Sequence, residues 1–208
     1  MKPIRKHTDI NTHFKETQLP PNHAMSRSIQ REITSDHICI WTLEQPGSRA
    51  NIITHDFLES LNEELDSLET SEHIRGLVIR SSKPRIFLAG ADLKALANTP
   101  PKDMALIISL GQQTFTRLAR LPFPKVSAIH GACLGGGFEL ALATDWRIGS
   151  ESRCTKVGLP EVNLGLLPAW GGCTRLPRLL GFVRAADVIL GGKTYNHRKA
   201  SALKLLDE

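Results

Sequence analysis

The hydrophobic positions change their period several times along the chain, and each change marks an element. "SIQREIT" and "HICIWTL" are short, rich in β-branched or aromatic residues and separated by the polar pair "SD", which predicts two strands. Downstream, Phe57, Leu58, Leu61, Leu65 and Leu68 recur at helical spacing, behind a Thr54 or an Asp56 able to cap the first turn. "GLVIRS" and "PKVSAIHG" are apolar runs of strand length. Between them, "MALIISLGQQTFTRLARL" has the pattern of an amphipathic helix that stops before Pro122. "GGGFELALA" predicts a helix opening directly after the second run, and "DWRIGS" predicts the next strand. Strand, connection and helix thus alternate at spacings that suit right-handed crossovers within one sheet, an α/β arrangement. No fixed-period repeat and no low-complexity tract interrupts it.

Residues 1–27 lack this periodicity, are polar and contain the pair Pro20–Pro21, so they are expected to be a disordered or loosely attached tail. The expected domain is 28–208, long enough to bury a substantial core. The tail has no apolar stretch of the kind a signal peptide needs, and Asp9 and Glu16 argue against an organelle transit peptide. Met25, just ahead of the first strand pattern, is an alternative start to Met1.

Charge changes this picture little. The net charge is +5, but residues 1–31 carry Lys2, Arg5, Lys6, Lys15, Arg27 and Arg31 against Asp9 and Glu16, a local +4. The domain itself is close to neutral and shows no basic face interleaved with aromatics, so nucleic acid is not an expected partner. No apolar run approaches the roughly 20 residues that span a bilayer. Cys39, Cys133, Cys154 and Cys173 show no metal-ligand spacing and lie in apolar or mixed segments. They are expected to be reduced core thiols in a cytoplasmic protein, and no metal site is expected.

The candidate chemistry lies in three segments. In "AIHGACLGGGFELALATDW", Gly135, Gly136 and Gly137 stand between a strand and a helix. Glycine has no Cβ to hold a ligand off, and the first amides of a helix are unpaired at the positive end of its dipole. A tight turn with close strand–helix packing would require the same residues. No Lys-Ser or Lys-Thr pair follows, and the spacing is not G-x-G-x-x-G, so neither nucleotide-binding loop is supported. "RIFLAGADLKAL" repeats the logic: a strand-like piece ends at Ala89–Gly90, and Asp92 can cap a short helix. Two strand ends, each directing one N–H into a common cleft, make an oxyanion hole. The third segment, "VGLPEVNLGLLP", places Glu161 in a loop stiffened by Pro160, while Glu139 lies within the first turn after the glycines. Two partly buried carboxylates that push each other's titrations apart can serve as one base and one acid near neutral pH.

"FLAGAD", "AIHGACLGGGFELALATD" and "GLPEVNLGLLPAWGGCTRLPRLLG" together resemble the enoyl-CoA hydratase/isomerase (crotonase) superfamily, from about Ile29 to the end of the chain. Within it, "AIHGACLGGG" and the separation of Glu139 from Glu161 are most similar to the N-terminal hydratase part of multifunctional fatty-acid oxidation α-subunits. The resemblance implies a crotonase-like spiral of ββα units, truncated before the family's C-terminal helices. It implies an acyl-CoA substrate whose thioester oxygen sits between the amides of Ala89 and Gly136, with Glu139 and Glu161 as the catalytic pair. Substrate contacts are implied at Ala89, Gly90, Ala91, Asp92, Gly135 and Gly136, with "SRANII" as the opposite wall. No cofactor is implied beyond the coenzyme A that the substrate carries. The implied partners are further copies of the chain and, for the longer relatives, a thiolase subunit.

The implied activity is enoyl-CoA hydration in fatty-acid β-oxidation. An isomerase of the same superfamily, which needs one proton-shuttling carboxylate, and a non-catalytic acyl-CoA-binding module are the alternatives. "PAWGG" departs from the family pattern by carrying Ala169 and Trp170 in place of glycine and a smaller residue. Trp170 is expected either to shorten the accepted acyl chain or to belong to the core.

Overall fold

A computed structural model describes residues 28–208; the tail expected at 1–27, with its alternative start at Met25, lies outside the described residues. Strand β1 (Ile29–Ile33) pairs antiparallel with β2 (Ile38–Leu43), Ile29 opposite Leu43 and Ile33 opposite Cys39. From β2 the sheet continues in parallel through β3 (Gly76–Ser81), β5 (Lys125–Ile129) and β7 (Trp146–Gly149), in the order β1-β2-β3-β5-β7. A second sheet, in the order β4-β6-β8-β9, is made of β4 (Ile86–Leu88), β6 (Ala132–Leu134), β8 (Lys156–Gly158) and β9 (Thr194–Asn196). Its last pair is antiparallel and the others are parallel.

The single sheet expected from the sequence is therefore two. The pairs β3–β4, β5–β6 and β7–β8 each place one strand in either sheet before the chain turns into helix, giving a spiral of ββα units. The strands of the second sheet are three residues long, too short for hydrophobic alternation to register. The helix at the triple glycine consequently does not follow β5 directly, because β6 intervenes. Gly131 (φ +74°) makes the turn between them, and a Cβ there would lie 2.1 Å from the Arg85 carbonyl carbon and oxygen.

The helices follow the predicted stripes. Helix α1 (His55–Glu69) buries Phe57, Leu58, Leu61, Leu65 and Leu68, and Thr54 rather than Asp56 caps it, its hydroxyl accepting the Phe57 N–H at 3.1 Å. Helix α2 (Leu93–Ala97) is short, and α3 (Pro101–Arg120) begins with Pro at its first position, where the missing N–H costs nothing. Helix α4 (Gly136–Ala141) is entirely buried. Helices α5 (Gly172–Leu180), α6 (Phe182–Gly191) and α7 (His197–Ala202) complete the order. The cysteines divide: Cys39 and Cys133 are buried in the core, Cys154 is half-buried and Cys173 is exposed. The last two are not core thiols, since Cys173 falls off the stripe that buries Gly172 and Leu176 on α5.

One polar residue ties the sheets together. Asn51 is 1 % exposed, and its Nδ2 reaches Leu43 O at 3.1 Å, Ser81 Oγ at 2.9 Å and Phe87 O at 3.2 Å, while its Oδ1 accepts the Gln45 N–H at 3.0 Å. Asn51→Ala leaves several of these buried groups unpaired and is expected to destabilise the fold by on the order of 3 kcal/mol, read as a lower urea midpoint at unchanged slope.

Candidate active site

The ends of β4 and β6 meet. Gly90 (φ +94°) lies so close to the next unit that a Cβ would stand 2.9 Å from Leu134 O and 3.4 Å from Gly136 N. The three glycines at the head of α4 answer to different neighbours. Gly135 (φ +55°) is the N-cap, and a Cβ on it would be 3.0 Å from Glu161 Oε1. At Gly136 a Cβ would be 2.6 Å from Trp170 Cζ3, and at Gly137 it would be 2.1 Å from Leu88 O. Close packing and an open helix terminus are both required at this turn.

The amides do not fall as expected. The Ala89 N–H donates to Asn51 O at 2.9 Å, so it extends the pairing with the 51–53 segment and is not available as an oxyanion donor. Gly90 O accepts from Ile53 N at 2.8 Å and Asp92 N donates to Ile53 O at 3.3 Å, bracketing a parallel bridge between Ala91, two residues on from Ala89, and Ile53. The bridge is bracketed by Gly90 O and Asp92 N–H, so Ile53 does not engage the Ala91 N–H. The "SRANII" segment backs this edge through Asn51 and Ile53, and Ile53 Cδ1 stands 3.1 Å from where a Cβ on Gly136 would lie. The Asp92 Oδ1 accepts the Ala95 N–H at 3.1 Å and caps α2.

Ala89, Gly90, Ala91, Gly135 and Gly136 do line a common cavity of about 510 Å³, together with both carboxylates. Its remaining lining is apolar, from α2, from Met104, Ile107 and Ile108 on α3, from Pro160 and from the 164–170 segment. Glu139, 2 % exposed, is held by main chain alone: its Oε1 accepts Trp170 N–H and Gly172 N–H, each at 2.8 Å. Glu161 opens a 3-10 turn (Glu161–Leu164) after Pro160, and neither of its carboxylate oxygens is solvent-exposed or accepts from another residue.

Burial raises the Glu139 carboxyl from the ordinary 4.5 to about 7, opposed by the two backbone donors and reinforced by the nearby Glu161 charge. Burial also raises Glu161. Because the folded protein binds the Glu139 proton more tightly than the unfolded chain, the associated stability is fully present below pH 4.5 and is lost as pH rises through about 7. The ionised form therefore costs on the order of 3 kcal/mol above that range. Urea unfolding should accordingly find Glu139→Gln gaining on wild type between about pH 5 and about pH 8.

The cluster of three metal-capable donors among the described residues, His55, Asp56 and Glu59, is exposed on α1 and lines no part of this cavity. Among the described residues no helix is long and apolar enough to cross a membrane.

A two-sheet ββα spiral that brings paired carboxylates to glycine-stripped strand ends defines a crotonase-type enzyme. The chain belongs to the enoyl-CoA hydratase/isomerase family, whose profile it matches over residues 34–208. It is 45 % identical over 174 residues to the fatty acid oxidation complex subunit alpha of Aliivibrio fischeri, covering 83 % of this chain and 25 % of that protein. The corresponding Vibrio cholerae subunit is 44 % identical over 184 residues, covering 88 % of this chain and 26 % of its own length. The chain thus spans about a quarter of these curated relatives. Among solved structures, the enoyl-CoA hydratase of Bacillus anthracis superposes with a TM-score of 0.81 at 32 % identity, covering 86 % of this chain and 69 % of that one. A Geobacillus kaustophilus relative gives 0.82 at 30 % identity, covering 87 % and 67 %.

Proposed function

We propose that the chain is an enoyl-CoA hydratase module that adds water across the double bond of a trans-2-enoyl-CoA. The observation that carries this reading is the convergence of two desolvated carboxylates, Glu139 and Glu161, on one cavity beside Gly135 and Gly136. An isomerase needs one proton-shuttling carboxylate, whereas addition of water uses a base for the water and an acid for the carbon.

In this mechanism the thioester oxygen accepts from the amides of Ala91 and Gly136, Ala91 taking the role that the engaged Ala89 N–H leaves open. Glu139 takes the role of base: held by Trp170 and Gly172 N–H and raised by burial to about 7, its carboxyl is poised to take a proton near neutral pH. It removes a proton from water as the hydroxyl oxygen bonds to C3, and the electron pair of the double bond moves onto the thioester oxygen. Glu161, raised by burial against no donor but its own backbone N–H, carries the second proton and delivers it to C2 as the enolate collapses. Transfer of the proton from Glu139 back to Glu161 resets the pair. Coenzyme A enters as part of the substrate, and no resident cofactor takes part.

Incubation with a short trans-2-enoyl-CoA tests the reading: loss of the conjugated double bond with formation of the 3-hydroxyacyl-CoA supports it. Migration of the double bond without uptake of water would replace it with isomerisation, and binding without turnover would replace it with an acyl-CoA-binding module. The relatives' description as subunits of a complex supports assembly with a partner; further copies and a thiolase subunit are the candidates, which sedimentation of the chain alone and with a thiolase subunit tests.

A further inference from the structure

The Trp170 indole is both buried and exposed to the cavity, and its position decides what the cavity can hold. It is 6 % exposed and lines the cavity with Ala169. Its six-membered ring lies against Gly136, and its pyrrole edge lies against Gly111 on α3. A Cβ at Gly111 would fall 2.4 Å from Nε1, and one at Gly136 would fall 2.6 Å from Cζ3. Two glycines thus form the slot that admits the ring. Phe115 closes it edge-on, with ring centroids 5.9 Å apart and planes at 80°.

On α3, Met104, Ile107 and Ile108 line the cavity. The next residue along that helical face is Gly111, which is buried and absent from the lining because the indole covers it. Beyond it come Thr114, Phe115 and Leu118, all buried. The cavity therefore follows α3 from Met104 inward and stops at Trp170. The indole N–H has no hydrogen-bond partner, so packing alone holds the ring there.

We propose that Trp170 is the specificity-determining end wall of the acyl channel, limiting the chain to short acyl groups. The inference rests on the acyl-CoA reading of the site. Removing the indole exposes Gly111 and lengthens the channel by about one helical turn, roughly 5.4 Å. The backbone N–H that Trp170 gives to Glu139 is independent of the side chain.

The test compares wild type, Trp170→Leu, Trp170→Phe and Gly111→Ala on two readouts. These are kcat/KM for hydration of trans-2-enoyl-CoAs of increasing length, and Kd for the matching saturated acyl-CoAs by calorimetry. Trp170→Leu should raise the long-to-short ratio of kcat/KM by about tenfold or more, the discrimination that a methylene or two commands in an apolar pocket, and should move the Kd optimum to longer chains. Trp170→Phe keeps an aromatic ring against Phe115, removes the unpartnered donor and should move both readouts by a smaller step. Gly111→Ala forces the ring toward the cavity and should shift them the opposite way. Unchanged length profiles in folded Trp170→Leu and Trp170→Phe would overturn the proposal. A Kd optimum that shifts in an enzyme unable to hydrate any member of the series would uphold the end wall and refute the hydratase reading instead.

Discussion

Glu139→Gln and Glu161→Gln are each expected to lower kcat for hydration of a short trans-2-enoyl-CoA by about 10²–10⁴, the range for removing one positioned acid or base. The two losses should not add, since base and acid act on one water in one transition state. The sign of the pH dependence follows from the environment of Glu139. As the base it works ionised, and its carboxyl is raised to about 7, so kcat/KM should fall as pH drops through that value. The residual activity of Glu139→Gln should lack this acidic limb, whereas that of Glu161→Gln should keep it. Steady-state rates of the three proteins across the pH range decide the matter; equal activity in all three would refute the two-carboxylate mechanism. Glutamine is the informative replacement because its carbonyl can still accept from Trp170 N–H and Gly172 N–H, preserving the local packing while removing the proton chemistry.

The second large effect is expected at Gly136. An alanine methyl there would overlap Trp170 Cζ3 at 2.6 Å and Cε3 at 2.7 Å, and press on Ile53 Cδ1 at 3.1 Å. The Trp170 ring has little room to yield, with Gly111 behind it and Phe115 across its edge. The strain falls on the amide that the proposed mechanism gives to the thioester oxygen, and loss of one such donor costs about 10²–10³ in rate. Gly136→Ala should therefore lose about that much kcat, together with some 1–3 kcal/mol of stability from overpacking. Combining it with Trp170→Leu removes the overlapping atoms, so the double variant should recover part of the lost rate. A double variant no faster than Gly136→Ala alone would show that the deficit does not come from this contact.

Both effects concern positions that the sequence marks openly, whereas their partners are less visible. The stripe from Phe57 to Leu68 predicts α1 with its correct buried face, because a helix repeats its contacts every turn and writes them into the local pattern. The second sheet leaves no such record: β4, β6 and β8 contribute three residues each, and their pairing is long-range. Ala89 illustrates the same limit at the site. Nothing local distinguishes its amide from that of Ala91; the difference is that Asn51 O, supplied by a segment some forty residues earlier, accepts one of them. Trp170 stands out in the sequence, but core and cavity wall become compatible roles only once Gly111 and Gly136 are brought to its two edges.

The sequence by itself determined the ordered α/β pattern, the position of the glycine turn at 135–137 and the two carboxylates proposed to bear chemistry, Glu139 and Glu161. The tertiary structure alone decided that the strands divide between two sheets, that Glu139 is clamped by two main-chain donors while Glu161 finds none on another residue, and that the Trp170 indole lines the cavity. The reason is physical: hydrogen-bond engagement, desolvation and cavity shape are set by what packs against a group, and in this fold those neighbours come from distant parts of the chain.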